Sequence, residues 1–268
     1  MNADRENGGR NRLCQHSVGL VFCILFFSGM PLHAGEDFTH LLAQGDLAGA
    51  HGDVNAALKC YAAADQQAGT NCGDLCRLTK DYCDLMHGVP STETQHKLAE
   101  LALADAHRAE QADPNSATAH LCMAVCYLKN FPWAPNATKV AWSKAIKTEC
   151  DAAIALNPRE DIAYYMLGRW EFGVANMNFV VKGLTRVIYG GLPAASDAEA
   201  VRDFQKAIAL APNRIIHHSE LARVYEAMGE NKLAEAELQK CATLKPTDRD
   251  DMDAQTDAAQ RLAKLEAK

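Results

Sequence analysis

Five stretches of the chain repeat one arrangement of small and bulky apolar positions. A small residue is followed four places on by a bulky one, three places later by a second small residue, and usually five further on by Pro. The series reads Ala57, Tyr61, Ala64 and Gly69; Ala102, Ala106, Ala109 and Pro114; Ile146, Cys150, Ala153 and Pro158; Ala200, Phe204, Ala207 and Pro212; and Ala234, Leu238, Cys241 and Pro246. Positions three and four apart share one face of a helix. Small side chains on that face let a second helix come close, and Pro stops the helix before the next unit starts. The spacing predicts stacked helix pairs.

Turn residues between the apolar stretches place the units. The first pair runs from Asp37 to Ala68 with its turn at Gly52 and Asp53, and the second from Asn71 to Ala112 with its turn at Gly88 to Ser91. A third, Ser116 to Leu156, holds an inner loop from Asn130 to Asn136. There Phe131, Pro132, Trp133 and Pro135 forbid regular helix, so the loop is either a packed cap or a ligand contact. The fourth opens at Asp161 with one long helix through Ile188, a turn at Gly190 to Pro193 and Asp197 as N-cap of its second helix. The fifth spans Asn213 to Leu244. A polar last helix, about Asp248 to Ala267 with Leu262 and Leu265 inward, suits the cap such a stack needs to end in water. The fold expected is all-α: a right-handed superhelical solenoid of about five tetratricopeptide-like helix pairs over residues 35–247, with a capping helix at 248–268.

Composition agrees: 48% of the 268 residues are hydrophobic, and only 9 Pro and 17 Gly leave little room for disorder. A net charge of -7 argues against a protein that coats nucleic acid, which needs a basic footprint. Residues 1–34 stand apart. Arg5, Arg10 and Arg12 precede an uncharged stretch from Leu13 with an apolar heart from Val18 to Phe27, then Ser28, Gly29, Pro31 and Ala34. That order reads as a secretory signal peptide cut near Ala34, giving an exported, periplasmic or extracellular chain. The apolar heart is shorter than the roughly 18 to 20 residues of a spanning helix. An uncleaved N-terminal membrane anchor is the alternative.

Beyond Cys14 and Cys23 the chain keeps eight cysteines. Cys150 and Cys241 sit at packing positions of the repeat, where Cys substitutes for Ala. Cys72, Cys76 and Cys83 fall on one helical face, and Cys122 and Cys126 lie one turn apart, so these five are the candidates for one or two disulfides. Cys-x-x-Cys is absent, and neither a metal nor a cofactor is expected.

Asn157, Pro158, Tyr165, the run Leu167-Gly168-Arg169-Trp170, the long helix after it, the turn Tyr189 to Pro193, and the helix of Glu199, Ala200 and Phe204 together resemble the regulator of microtubule dynamics family. Ser143, Ile146 and Lys147 are similar too, and the resemblance covers roughly Asn115 to Cys241. It implies a helical repeat fold, a binding role without established catalysis, and association with microtubules or organelle membranes in eukaryotic cells. Tubulin is carried only as the family's label, because a cleavable signal with no eukaryotic targeting feature looks like an exported bacterial member.

In helix-pair repeats the first helices line the concave side. Setting Leu75 and Tyr82, His120 and Tyr127, Tyr164 and Glu171, and His218 and Tyr225 in register puts Lys80, Leu121, Val125, Lys129, Tyr165, Arg169, Phe172 and Arg223 on the inner wall, with Cys76, Cys83 and Glu226. Four cations facing one groove of an acidic protein would favour a carboxylate, a peptide C-terminus or a phosphate head group against an apolar wall. Arg169 has a second reading, a structural pair with Glu160, Asp161 or Glu171, and Trp170 reads as core packing. Hydrolase, zinc-protease and phosphate-loop motifs are absent, and adjacent His217 and His218 point in different directions; no enzymatic activity is expected. Two functions remain. One is a scaffold that binds a protein or peptide in the groove. The other is a lipid or amphiphile carrier, in which the apolar fourth-unit helix and the Trp133 loop close the groove over an acyl chain unless that helix is simply buried between its neighbours.

Overall fold

Caps and prolines set the helix boundaries. The computed structural model describes residues 37–267. They form α1 (Phe38–Ala50), α2 (Val54–Ala68), α3 (Cys72–Leu85), α4 (Thr92–Ala112), α5 (Ala117–Asn130), α6 (Asn136–Leu156), α7 (Asp161–Ala175), α8 (Phe179–Tyr189), α9 (Asp197–Leu210), α10 (Ile215–Met228), α11 (Asn231–Thr243) and α12 (Arg249–Glu266), with no strand among the described residues. The segment read as a signal peptide, residues 1–34, lies outside the described residues. Asp37, Asp53, Asn71, Ser91, Ser116 and Asp248 each accept a first-turn backbone N–H through the side chain. Ahead of Pro114, Pro158 and Pro212, the residues Asp113, Asn157 and Ala211 are extended, at φ -144°, -135° and -135°. Pro enforces this by clashing with a helical predecessor.

The expected pairs are present: α1 packs on α2, α3 on α4, α5 on α6, α7 on α9 and α10 on α11, with α12 closing the stack against α10 and α11. Two details differ from the sequence expectation. The long fourth-unit helix is two helices, broken at Asn176–Asn178, where Asn178 caps α8 by accepting from the Val180 and Val181 amides at 2.9 and 3.4 Å. The N-cap of α9 is Ser196, whose hydroxyl accepts from the Glu199 amide at 3.2 Å; Asp197 is the first helical residue. The Asn130–Asn136 loop holds a 3₁₀ turn, Phe131–Trp133, and the Trp133 ring stacks on His96 of α4 at 4.7 Å. It is a packed cap.

The repeated spacing is the buried seam of every pair. Its small and bulky members lie on α2, α4, α6, α9 and α11, and all are at most 4% exposed. The facing helix meets them with glycine where the bulky residue is aromatic. A Cβ on Gly45 of α1 would stand 2.3 Å from the Tyr61 ring, and one on Gly168 of α7 would stand 2.9 Å from the Phe204 ring. Interiors are close-packed, so neither ring has room to yield.

A second repeated device ties each unit to the turn before it. Six residues after Pro114, Pro158 and Pro212 stand His120, Tyr164 and His218, and each side chain donates to that proline's carbonyl, at 3.0, 3.5 and 3.0 Å. The two histidines also donate from Nδ1 to a carboxylate of the second helix, Glu149 and Glu237, each at 2.6 Å. Both ring nitrogens face acceptors, which only the imidazolium satisfies fully. Burial opposes the charge, but these hydrogen bonds and the adjacent carboxylates outweigh it, and both histidines are raised above their ordinary pKa. Glu110, His120 and Glu149 hold donor atoms within 4.8 Å of one another, yet the hydrogen bonds to the proline and second-helix carboxylate recur at His218, which assigns His120 and Glu149 to the repeat's own scaffolding.

Gly168→Ala should lower stability, because about 1–3 kcal/mol of overpacking exceeds the roughly 1 kcal/mol gained in helix propensity. Gly173→Ala on the same helix, where an added Cβ meets nothing within 4 Å, should raise it by about 0.5–1 kcal/mol. Thermal melting of both variants checks the pair; equal shifts would remove the seam as the constraint. Groups raised on folding contribute stability that is complete below the unfolded pKa, about 6.5 for His, and is lost as pH rises through the folded value. The stability gap between the wild type and a His120→Gln, His218→Gln double variant should therefore be widest at mildly acidic pH and shrink as pH rises through the raised histidine range, measured by denaturant unfolding at stepped pH.

Candidate binding groove

Successive first helices touch along one side of the stack, α1 to α3, α3 to α5, α5 to α7, α7 to α10 and α10 to α12. That is the side on which the sequence places the inner wall. From α3 it takes Lys80, exposed and ion-paired with Asp84 one turn on. From α5 it takes Leu121 and Val125, half-buried against the core, and Lys129, whose ammonium lies 3.4 Å from His87 Nε2. From α7 it takes Tyr165, Arg169 and Phe172, and from α10 Arg223.

Tyr165 is a core residue with its hydroxyl at the groove. Its ring packs edge-on to Phe204 at 6.0 Å and against His217 at 5.3 Å, and burial pushes its pKa up to about 12 against the lowering effect of Arg169. Arg169 donates to that hydroxyl at 3.3 Å and stands 5.7 Å over the ring. Burial works against its charge, but Tyr165 and the negative fields of Glu220 and Asp250 hold its pKa above the ordinary value. None of the carboxylates considered as its structural partner takes that place. Asp161 accepts from His217 Nε2 at 2.8 Å, Glu160 from Asn157 at 3.3 Å, and Glu171 from the Ser196 amide at 3.3 Å. Trp170 is buried and donates to the Ser143 carbonyl at 2.6 Å, as core packing requires.

Missing from the sequence expectation is what faces these cations. Asp250, Asp253 and Asp257 of α12 stand three and four residues apart and share one helix face. Asp257 accepts from Arg223 at 2.8 Å and from Arg261 at 3.1 Å, and Asp250 and Asp253 lie 3.2 and 3.8 Å from the two nitrogens of His87, at the end of α3. The cap helix thus lends its acidic face to the groove, and Arg223, also 3.4 Å from Glu220, is neutralised there. Of the four expected cations, Lys129 and Arg169 have no carboxylate within 4.0 Å among the described residues. The spacing of the three aspartates was readable along the chain, but their partners come from the second and fifth units and were not.

The cysteines cluster between α3 and α5. Cys72, Cys76, Cys83, Cys122, Cys126, Cys150 and Cys241 are free thiols. The Cys122 thiol donates to the Cys76 carbonyl at 3.8 Å, and the thiols of Cys76 and Cys122, of Cys83 and Cys126, and of Cys72 and Cys76 are near enough to shift one another's titration. Cys150 and Cys241 are buried on α6 and α11, and burial raises both, Cys241 to about 12.

The architecture matches known repeat proteins. A thermophilic tetratricopeptide-repeat protein of Thermus thermophilus superposes with a TM-score of 0.60 at 18% identity, covering 85% of this chain and all of that one; this is a likeness of fold. Mouse regulator of microtubule dynamics protein 1 is 28% identical over 237 residues, 87% of this chain and 77% of the mouse protein. Human regulator of microtubule dynamics protein 2 is 28% identical over 195 residues, 70% of this chain, which spans 46% of the human protein. A family model described as regulator of microtubule dynamics protein 1-3 matches residues 41–266, nearly the whole described solenoid, and the chain belongs to that family.

Proposed function

We propose that this protein is a non-catalytic scaffold that docks a segment of a partner protein in its concave groove, and that Arg169 and Lys129 receive an acidic side chain or a C-terminal carboxylate. The observation that carries this is a pair of cations without carboxylate partners, in a chain with 34 acidic against 27 basic residues. About one turn from them on the same helices stand the half-buried Val125 and Phe172, which offer apolar contact near the charge. Arg169 is also held in place by Tyr165 before any partner arrives, which lowers the ordering cost of binding. The relatives' names point to microtubules, and tubulin, whose surface would have to offer such an acidic segment, is one partner to test. A lipid or small amphiphile in the same groove is the other reading. The helix expected to close an acyl channel there does not favour it, since α8 leaves its apolar side chains exposed.

We further propose that residues 1–34 export the chain and that the solenoid matures in an oxidising compartment, as a member of the family outside the cytoplasm. An uncleaved N-terminal anchor would leave the same solenoid outside. What supports export is the order of basic, apolar and small residues at the N-terminus, together with two thiol pairs, Cys76–Cys122 and Cys83–Cys126, at the α3–α5 contact. Each pair would join by giving two protons and two electrons to a thiol oxidant such as oxidised glutathione.

On an array of peptides with free or amidated C-termini, the free acidic termini should be retained, and Arg169→Ala should weaken them by about tenfold or more, as loss of a charged hydrogen bond does, at unchanged melting temperature. Equal retention by the variant would remove Arg169 from the site, and a removable small mass in the native mass spectrum of protein purified from its host would instead assign the groove to a carrier. For export, N-terminal sequencing of protein from its host should start at Gly35, and a non-reducing digest should yield peptides joined through Cys76 with Cys122 and Cys83 with Cys126. An intact N-terminus with free thiols would overturn it.

A further inference from the structure

Among the described residues eleven large apolar side chains are exposed, and six of them lie on α8: Phe179, Val180, Val181, Leu184, Val187 and Ile188, at 50% to 86% exposure. At 100° per residue the last five fall within an arc of about 120°. An amphipathic helix on a soluble protein turns such a stripe to the core, and α8 does the reverse. It rests on the body through its polar side: Thr185 is its buried residue, Lys182 donates to the Val174 carbonyl at 3.5 Å, and the Tyr189 carbonyl accepts from Lys144 at 3.0 Å. The helix is nonetheless fully specified. Asn178 caps its start, and Gly190, at φ 75°, reverses the chain so that the Gly191 amide closes on the Thr185 carbonyl at 3.1 Å.

Charge selects the occupant of this face. From Phe172 to Ser196 the chain has no acidic residue, and α8 carries Lys182 and Arg186, in a protein of net charge -7. Lys182 and Arg186 fall on the side of the helix away from the stripe, and Arg186 is exposed there. An apolar stripe on a helix whose charges are all cationic suits an anionic lipid surface, where the stripe enters the acyl boundary and the long Arg186 side chain snorkels toward head-group phosphates. A second copy of the chain fits less well. Eleven residues make a helix about 16 Å long, which offers far less than the roughly 800 Å² a side of a stable interface. We propose that α8 is a membrane-contact helix that lies in the plane of an anionic lipid surface and docks the solenoid on it. At eleven residues it cannot cross a bilayer, which takes about 20, so the contact is one-sided. This stands apart from the groove's function.

The test uses the full chain with phosphatidylcholine vesicles, with and without phosphatidylserine. The apolar N-terminal stretch from Leu13 to Phe27 is free to partition by itself, so the decisive readout is local: amide hydrogen exchange of the α8 peptide against that of the α12 peptide. With phosphatidylserine present, α8 amides should gain protection and α12 amides should not. A Leu184→Asp, Val187→Asp double variant should lose the α8 protection and bind vesicles at least about tenfold more weakly. Arg186→Glu should weaken binding only where phosphatidylserine is present, by about fivefold. Melting temperatures near wild type certify folding, and Leu47→Asp, at an exposed apolar site on α1, should change nothing. Unchanged α8 exchange on vesicles would overturn the proposal even if the chain sediments with them. Protection that rises with protein concentration and needs no vesicles would overturn it in favour of self-association.

Discussion

Everything in this solenoid depends on how closely two helices of a unit can approach. Small residues three and four apart on each second helix remove the bulk that would hold the first helix off. Where an aromatic ring stands in the seam, the facing position is glycine, as at Gly45 with Tyr61 and Gly168 with Phe204. Close approach buries the seam of every unit, and with the pairs stacked in order the first helices converge on one side of the stack, each touching the next.

Convergence also gathers charge. An inner face draws side chains from units far apart in sequence, and here it sets cations of α5, α7 and α10 near the acidic stripe of α12. The cap helix thus answers part of the groove's field from within the chain, through Asp257 on Arg223 and Asp250 on His87. What stays uncompensated is narrow: Lys129, and Arg169 resting on Tyr165. A partner would meet a site of defined position in place of a broadly basic channel. The third and fifth units are tied differently, by His120 and His218, each of which joins a proline turn to the second helix of its unit.

The fourth unit breaks the regularity. Its insertion forms a separate capped helix whose polar side meets the body and whose apolar side meets solvent. Local rules are obeyed there: the caps fit, and the periodicity is helical. What is violated is the rule linking the apolar face to a core. Such conflicts between local consistency and global placement concentrate at functional surfaces.

By itself the sequence determined the helices, their pairing and most of their ends. These follow from interactions within a few residues: the period of small and apolar positions, side-chain caps one turn away, and the steric effect of Pro on its predecessor. Register within a repeat is periodic, so the sequence also names the residues expected on the inner wall. Left open along the chain was everything set by contacts between units. Glu160, Asp161 and Glu171, the carboxylates near Arg169 in sequence, are each held elsewhere, and the negative fields on Arg169 come from Glu220 of α10 and Asp250 of α12. The thiol pairs join cysteines 46 and 43 residues apart. The break after Ala175 and the outward turn of α8 likewise escaped a periodicity argument, since period gives the face of a helix but not the direction in which the fold turns it. Periodicity is local, whereas electrostatic pairing and orientation are decided only when the superhelix brings distant units together.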